Sequence, residues 1–478
     1  MSLTATETTK VGPRRWLIAS VLLLAAFMNL LDGSIVNLAL PAIQADLNAT
    51  STQLQWVMVI YILTFAAGLL PFGRFGDVFG RDRMFIWGML GFMFTSAACG
   101  LAPNVEALIA SRALKGLAAA MMVPQVLAII HVVFPADEKG KVIGLFGMVS
   151  GLGAVAGPLI GGLLVSADVF GLGWRPIFLI NLPLGLVSLT GALVLLPKVK
   201  ASTHASIDWI GSALFASAIV ALTYPLIEGR SLGWPVWAFG LMAFSLVLGW
   251  AFLGHQKKLA ATGRLQTLPV SLVKDGPFVG GLIIVTLFFA GIAGVILLLS
   301  VFLQSGFGFT PAEAGIALAP HPASAMIVSL MTGRLGAKFL KLRVFVGALA
   351  LLAGMIWLQS IAGQADANLQ GTDVLVPLLF VGAGMGASTV ALFQSILSRV
   401  AGPDAGAGSG VLQAFQQVGI ALGIAIIGQI FFAGLGANPD HTSFSAAAKT
   451  ALWFPIGIYG LLGTVCACQL LPSKGSSK

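Results

Sequence analysis

Along this 478-residue chain, apolar stretches recur fourteen times, near 16–42, 54–72, 84–102, 107–131, 142–166, 177–196, 208–228, 235–254, 277–304, 312–332, 344–363, 372–398, 411–434 and 450–471. Each is close to the roughly 20 apolar residues that an α-helix needs to cross the hydrocarbon core of a bilayer. In lipid every backbone polar group must be satisfied inside the structure, which leaves helices or a closed barrel, and runs of this length read as helices. Only 9% of the residues are charged and 58% are hydrophobic, whereas a soluble domain carries about 25% charged residues to face water. The expectation is an all-α integral membrane protein with fourteen transmembrane helices.

The net charge of +9 raises the question of a nucleic-acid partner, and the placement of the charges answers it. With the N-terminus in the cytoplasm, 21 of the 26 Lys and Arg fall on the cytoplasmic side. Arg175, Arg230 and Lys449 fall outside, and Arg112 and Lys115 lie within the fourth helix. This is the positive-inside pattern. It predicts a multi-pass protein of the cytoplasmic membrane with both termini in the cytoplasm, surrounded by lipid and without a nucleic-acid partner. The first helix is too long for a signal-peptide core and reads as an uncleaved anchor. Cys99, Cys466 and Cys468 are odd in number and sit in apolar segments, so they read as small buried hydrophobes rather than a disulfide or metal site.

An internal repeat sets the organisation. Residues 73–83, GRFGDVFGRDR, and residues 333–343, GRLGAKFLKLR, match in register at Gly73/Gly333, Arg74/Arg334, Gly76/Gly336, Phe79/Phe339 and Arg83/Arg343. Each segment follows the second helix of a six-helix set, and the shift between them skips the helices at 208–254. The expected units are a six-helix bundle over 1–200, two inserted helices over 201–256, and a cytoplasmic linker with a second six-helix bundle over 257–478. Repeats of this kind build secondary transporters, with the substrate site between the halves.

The residues that bear chemistry are few. Asp32 is an acid inside an apolar helix, where insertion costs roughly 2.5–3.5 kcal/mol. It reads either as a proton site or as a packing group satisfied by a nearby Asn or Ser. Arg112, at a similar depth, is its expected partner unless it snorkels to the outer interface; Lys115, one turn deeper, could take its place. Asn37, Lys115, His321, Gln413, Gln416 and Gln417 are assigned to a substrate cavity. His321, flanked by Pro320 and Pro322, is either a titrating group or a structural donor. Segment 73–83 reads as a gating loop, with glycines for sharp turns and Gly73, Asp77, Gly80, Arg81 and Arg83 as its working residues. In the fifth helix, Gly153, Gly157, Pro158, Gly161 and Gly162 allow close helix approach and a bend. They fit either plain packing or a pivot between halves. There is no metal-ligand cluster, no nucleophile–base set and no phosphate-binding Gly-x-x-x-x-Gly-Lys-Ser/Thr loop. An enzyme, a metal site and an ATP-driven pump are therefore not expected.

Taken in order, these segments resemble the major facilitator superfamily, specifically its fourteen-helix drug:proton antiporters. The resemblance rests on Leu31–Pro41, on Gly73-x-x-x-Asp77-x-x-Gly80-Arg81-x-Arg83, on Arg112-x-x-Lys115-Gly116, and on the fifth-helix glycines with Gly144. Trp174-Arg175-Pro176 and Asn181-Leu182-Pro183 add to it. The sequence departs from the family pattern at Ser34, Val78, Asp82 and Lys115, where Thr, basic residues and Gln are common. The resemblance implies two six-helix bundles plus two inserted helices, working as a monomer. Small amphipathic compounds would be exported by alternating access in exchange for protons, with no cofactor besides the coupling ion. It also implies that Asp32 and Arg112 couple the proton, that the 73–83 segment holds one gate state, and that the fifth helix favours antiport. An exporter of one native metabolite or lipid, an importer, or a non-transporting membrane sensor would share much of this pattern.

Overall fold

The computed structural model describes residues 14–197, 208–264, 266–336, 338–366, 368–400, 405–435 and 439–470. The described chain is helical. In order the helices are α1 Arg14–Leu47, α2 Ser51–Phe79, α3 Arg81–Gly100, α4 Val105–Val133, α5 Ala136–Ser166, α6 Pro176–Leu195, α7 Trp209–Glu228 and α8 Val236–Ala261. They continue as α9 Gly276–Val301, α10 Pro311–Gly333, α11 Leu340–Gln364, α12 Leu375–Leu397, α13 Ala405–Ala433 and α14 His441–Cys468. Among the described residues, 12 helices are long and apolar enough to cross a membrane. The sequence reading expected two more. They are α3, which opens on Arg81-Asp82-Arg83, and α5, whose apolar stretch is Gly151–Ser166.

Prolines shape several of these helices by removing the donor that would bind the carbonyl four residues back. Pro183, Pro322 and Pro455 each stand four residues after the point where a helix is interrupted, at Leu179 in α6, Leu318 in α10 and Ala451 in α14. Pro41 likewise frees the carbonyl of Asn37, which accepts instead from Ser300 Oγ of α9 at 2.6 Å.

In the first half, α1 packs on α5 and α6, while α4 packs on α2 and α3. In the second half, α9 packs on α13, and α12 packs on α10 and α11. The halves meet along α2/α13 and α5/α10. Among the described residues, three hydrogen bonds cross between them at the end of the bundle away from the start of α1. These are Ser300 to the Asn37 carbonyl, Gln304 Nε2 to the Leu38 carbonyl at 3.2 Å, and the Ala312 amide to Ser166 Oγ at 3.0 Å. At this far end the two halves are closed on each other.

Segment 73–83 is not a loop. Helix α2 continues through Gly73 and Asp77 to Phe79, and Gly80 alone turns the chain into α3. Gly80 does so at φ 99°, a conformation only glycine adopts without strain. In the second copy, Leu340 replaces this glycine, and the turn is longer, using Gly336 and Phe339 at φ 55° and 57°. Arg81 ties the junction down by donating to the Ala128 carbonyl of α4 at 3.0 Å. Arg74 donates to the Gln266 carbonyl of the linker at 3.3 Å, and Arg83 is exposed. The side chain of Asp77 and residue Ala337 lie outside the described residues.

Helices α7 and α8 pack on each other, and α7 also packs on α2 and α13. Asp208 fastens the pair at its linker end. Its carboxylate caps α7 through the Gly211 amide at 2.8 Å and accepts from Gln256 at 2.7 Å and Thr267 at 2.9 Å, with His255 Nε2 at 2.8 Å. Burial pushes this carboxyl upward, but the donors of Gln256, Gly211, His255 and Thr267 outweigh it and hold it below the usual carboxylate value. A depressed folded-state value stabilises the fold above the unfolded pKa and is lost as pH falls through the lower folded one. Asp208→Ala is therefore expected to lower the thermal midpoint in detergent at pH 7. The gap to wild type should begin to narrow once the pH drops below about 3.9 and keep narrowing as the pH falls through the lower folded value. A gap that stays constant down to pH 3 rules this account out.

Candidate functional site

Asp32 sits one residue before Gly33 on α1, fully buried. Both carboxylate oxygens are engaged. Oδ2 accepts from Arg112 Nη1 at 2.8 Å; Oδ1 accepts from Lys115 Nζ and from Asn181 Nδ2 at 3.1 Å. Arg112 and Lys115 stand one turn apart on α4, a spacing that puts both on one face. Asn181 reaches the carboxylate because α6 is broken just before it.

A second layer completes the cluster. Lys115 Nζ also donates to Ser96 Oγ of α3 at 2.8 Å, as does Asn181 at 3.1 Å, and the Ser96 hydroxyl donates to the Phe178 carbonyl at 2.8 Å. The ammonium lies 4.6 Å from the Phe92 ring centroid and 5.1 Å from that of Phe178. Nζ thus meets two acceptors and two aromatic faces, and shares the Asp32 carboxylate with the like-charged Arg112 guanidinium. Arg112 donates through Nε to the Val57 carbonyl of α2 at 3.0 Å and lies 4.3 Å over the Tyr61 ring, whose hydroxyl donates to Asn29 Oδ1 at 2.7 Å. Arg112 therefore does not snorkel: it is 1% exposed. Asp32, a single acid, is bridged to two cations, and Arg112 connects it to helix α2.

Every partner of Asp32 belongs to the first half. The carboxylate lies inside that bundle, among α1, α3, α4 and α6, rather than on the seam between halves. Lys115, expected to line a cavity, is 0% exposed and belongs to this cluster. Burial there is affordable only because each of its donors has a partner.

The other cavity candidates are scattered. Asn37 is buried, donates to the Ser34 carbonyl at 3.2 Å, and takes part in far-end closure through its own carbonyl. His321 is buried in α10 with its Nε2 unpartnered, and its carbonyl accepts from Ser324 at 3.1 Å. Gln413, Gln416 and Gln417 are half-buried on α13.

The fifth-helix residues divide into two sets. A Cβ at Gly153, Gly157 or Gly161 would press on Phe27, Ser34 or Ile35 of α1, all within the first half. A Cβ at Gly162 would strike the Pro311 carbonyl of α10, and the carbonyl of Pro158 leaves no room for one at Gly315. Gly162 and Pro158 thus seat the second half.

Ser96, Asn181 and Tyr61 were not singled out as site residues from the sequence. The Asn-Leu-Pro string held the one available signal, since a proline two residues on breaks the helix at the asparagine.

Residues 22–424 match the model of the Major Facilitator Superfamily. The chain belongs to the major facilitator superfamily. Among its relatives is a probable actinorhodin transporter of Streptomyces coelicolor, 39% identical over 446 residues, covering 92% of this chain and 77% of that protein. A puromycin resistance protein of Streptomyces alboniger is 33% identical over 474 residues, covering 97% and 92%. A multidrug resistance protein of Mycobacterium tuberculosis is 30% identical over 417 residues, covering 87% and 75%. Among solved structures, a POT family transporter in complex with a thioalcohol-conjugated peptide superposes with TM-score 0.68 at 14% identity, covering 95% of each chain. The xylose transporter of E. coli does so with TM-score 0.61 at 15% identity, covering 96% and 99%. At those identities the likeness is one of fold. As a superfamily member the chain is a multi-pass membrane transporter and not an enzyme.

Proposed function

We propose that this chain exports small amphipathic compounds across the cytoplasmic membrane in exchange for protons, by alternating access, as a monomer of the fourteen-helix drug:proton type. In that arrangement α3 and α5 also cross the bilayer. Helix α3 has 20 residues and α5 has 31, and both reach the roughly 30 Å of hydrocarbon at 1.5 Å per residue. The basic end, with both termini, lies in the cytoplasm, so the far-end closure corresponds to a state sealed from outside.

The observation that carries this reading is the Asp32 carboxylate held at membrane depth between Arg112 and Lys115, in a chain whose relatives are named for drug resistance and export. A proton arriving on Asp32 removes the charge that holds Arg112. Arg112 also grips the Val57 carbonyl of α2, and α2 packs on α13 across the seam. Protonation is thereby felt at the gate without any need for the carboxylate to touch substrate. A membrane potential of 100 mV is worth about 2.3 kcal/mol per charge moved, and the pH gradient adds to it.

A narrower version, one native compound rather than many, is favoured by the relatives named for single compounds, actinorhodin and puromycin. The test uses purified protein in liposomes loaded with a pH-sensitive dye. Added substrate is expected to drive protons in the opposite direction. Substrate flux with no proton movement would remove antiport from the proposal.

A further inference from the structure

We infer that the substrates are anionic or neutral aromatic compounds rather than lipophilic cations, and that Lys115 sets this preference. The inference rests on the export reading above and assigns it a substrate class. Asp32 is the one acid deep in a helix; every other acid among the described residues stands in a loop or within a turn of a helix end. Facing it are two buried cations, Arg112 and Lys115. The cluster therefore holds one unbalanced positive charge when Asp32 is ionised, and two when it is protonated. It is positive in both states of a proton cycle, and a cationic ligand finds no carboxylate that two protein cations do not already occupy.

The charge acts at short range. A Cβ built on Gly33, the residue after Asp32, meets nothing within 4 Å, so open space begins on the neighbouring face of the same helix. An α-helix with its side chains is about 10 Å across. At that distance a unit charge in an effective dielectric of 20 biases a ligand charge by on the order of tenfold. The second half does not offset this, because its described acids stand in loops or within a turn of a helix end, and its cavity candidates His321, Gln413, Gln416 and Gln417 bring no negative charge.

Fluorescein and rhodamine 123 share one aromatic skeleton and differ in charge, and serve as the probes. Both are offered to wild-type protein in liposomes with an imposed pH gradient. Fluorescein is expected to move at least tenfold faster, relative to protein-free liposomes, than rhodamine 123. Lys115→Gln, which keeps the Asp32–Arg112 pair, is expected to cut that ratio at least tenfold, and Lys115→Arg, which keeps the charge, to preserve it. Preferential movement of rhodamine 123 by the wild type overturns the substrate class while leaving export standing. A wild-type preference for fluorescein that Lys115→Gln does not reduce overturns the role of Lys115. Movement of neither probe overturns the broad-substrate export reading on which this inference rests, and the inference with it. The wild-type comparison needs no variant to fold.

Discussion

Asp32→Asn is expected to abolish proton-coupled transport, by at least 100-fold, and also to lower the thermal midpoint of the purified protein by several degrees. Both follow from one change. The substitution leaves Arg112 and Lys115 facing each other across a neutral amide in a site where all three side chains are buried. Removing one partner of a buried ion pair costs about 3–5 kcal/mol, because the remaining charge stays desolvated. Loss of transport alone would therefore not identify a proton site, since a misfolded carrier is also inactive. The double variant Asp32→Asn/Lys115→Gln separates the two. It removes one of the two uncompensated cations and is expected to recover more than half of the lost midpoint, a coupling that neighbouring groups in one network show. Transport should stay at the level of the single variant. A double variant that regains proton-coupled flux would mean that Asp32 is a structural counter-ion and that coupling lies elsewhere.

How much of this site the sequence disclosed depends on the cost of each residue. Asp32, Arg112 and Lys115 were legible because a charge in hydrocarbon is expensive and stands out against apolar neighbours. Ser96 and Asn181 cost far less to insert and leave no such mark. They become site residues only when α3 and α6 fold against α1. Where Asp32 lies in the bundle was also hidden: a helix has an inner and a seam-facing side, and an almost wholly apolar helix gives no periodicity to distinguish them. The glycines misled for a related reason. In a soluble chain, a segment with glycines at 73, 76 and 80 reads as a loop. Here Gly76 gives room to the Gln125 side chain, Gly73 stays helical, and Gly80 alone makes the turn. The proline breaks at Pro183, Pro322 and Pro455 were not legible either, because Pro41, Pro71, Pro124, Pro158 and Pro225 remove the same donor inside helices that continue, and the packing around each freed carbonyl decides which helix is interrupted.

Gly162→Val is expected to stop the transport cycle while leaving the first half folded, because it acts on the contact between halves rather than on either bundle. The neighbouring residues supply the contrast. A side chain at Gly157 meets Ser34 and the Ile35 amide of α1, an intrabundle contact, so Gly157→Ala is expected to cost stability by overpacking, typically about 1–3 kcal/mol. A side chain at Gly162 meets the Pro311 carbonyl and the Ala312 backbone at the start of α10. That is backbone from the other half, which cannot turn aside as a side-chain tip can. The far end must then part where the Ala312 amide now bonds Ser166 and Ser300 bonds the Asn37 carbonyl. Ser300 is fully buried in the closed state, so a cysteine placed there, in a chain with Cys99, Cys466 and Cys468 replaced, reports on opening. A membrane-impermeant thiol reagent applied from the outer side should label Ser300→Cys several-fold faster when Gly162→Val is present. With Gly157→Ala the labelling should not change, although the protein melts earlier. Equal labelling in the two backgrounds would show that α5 and α10 do not form the outer seal. Near-normal transport by Gly162→Val would show that the far end need not close for turnover.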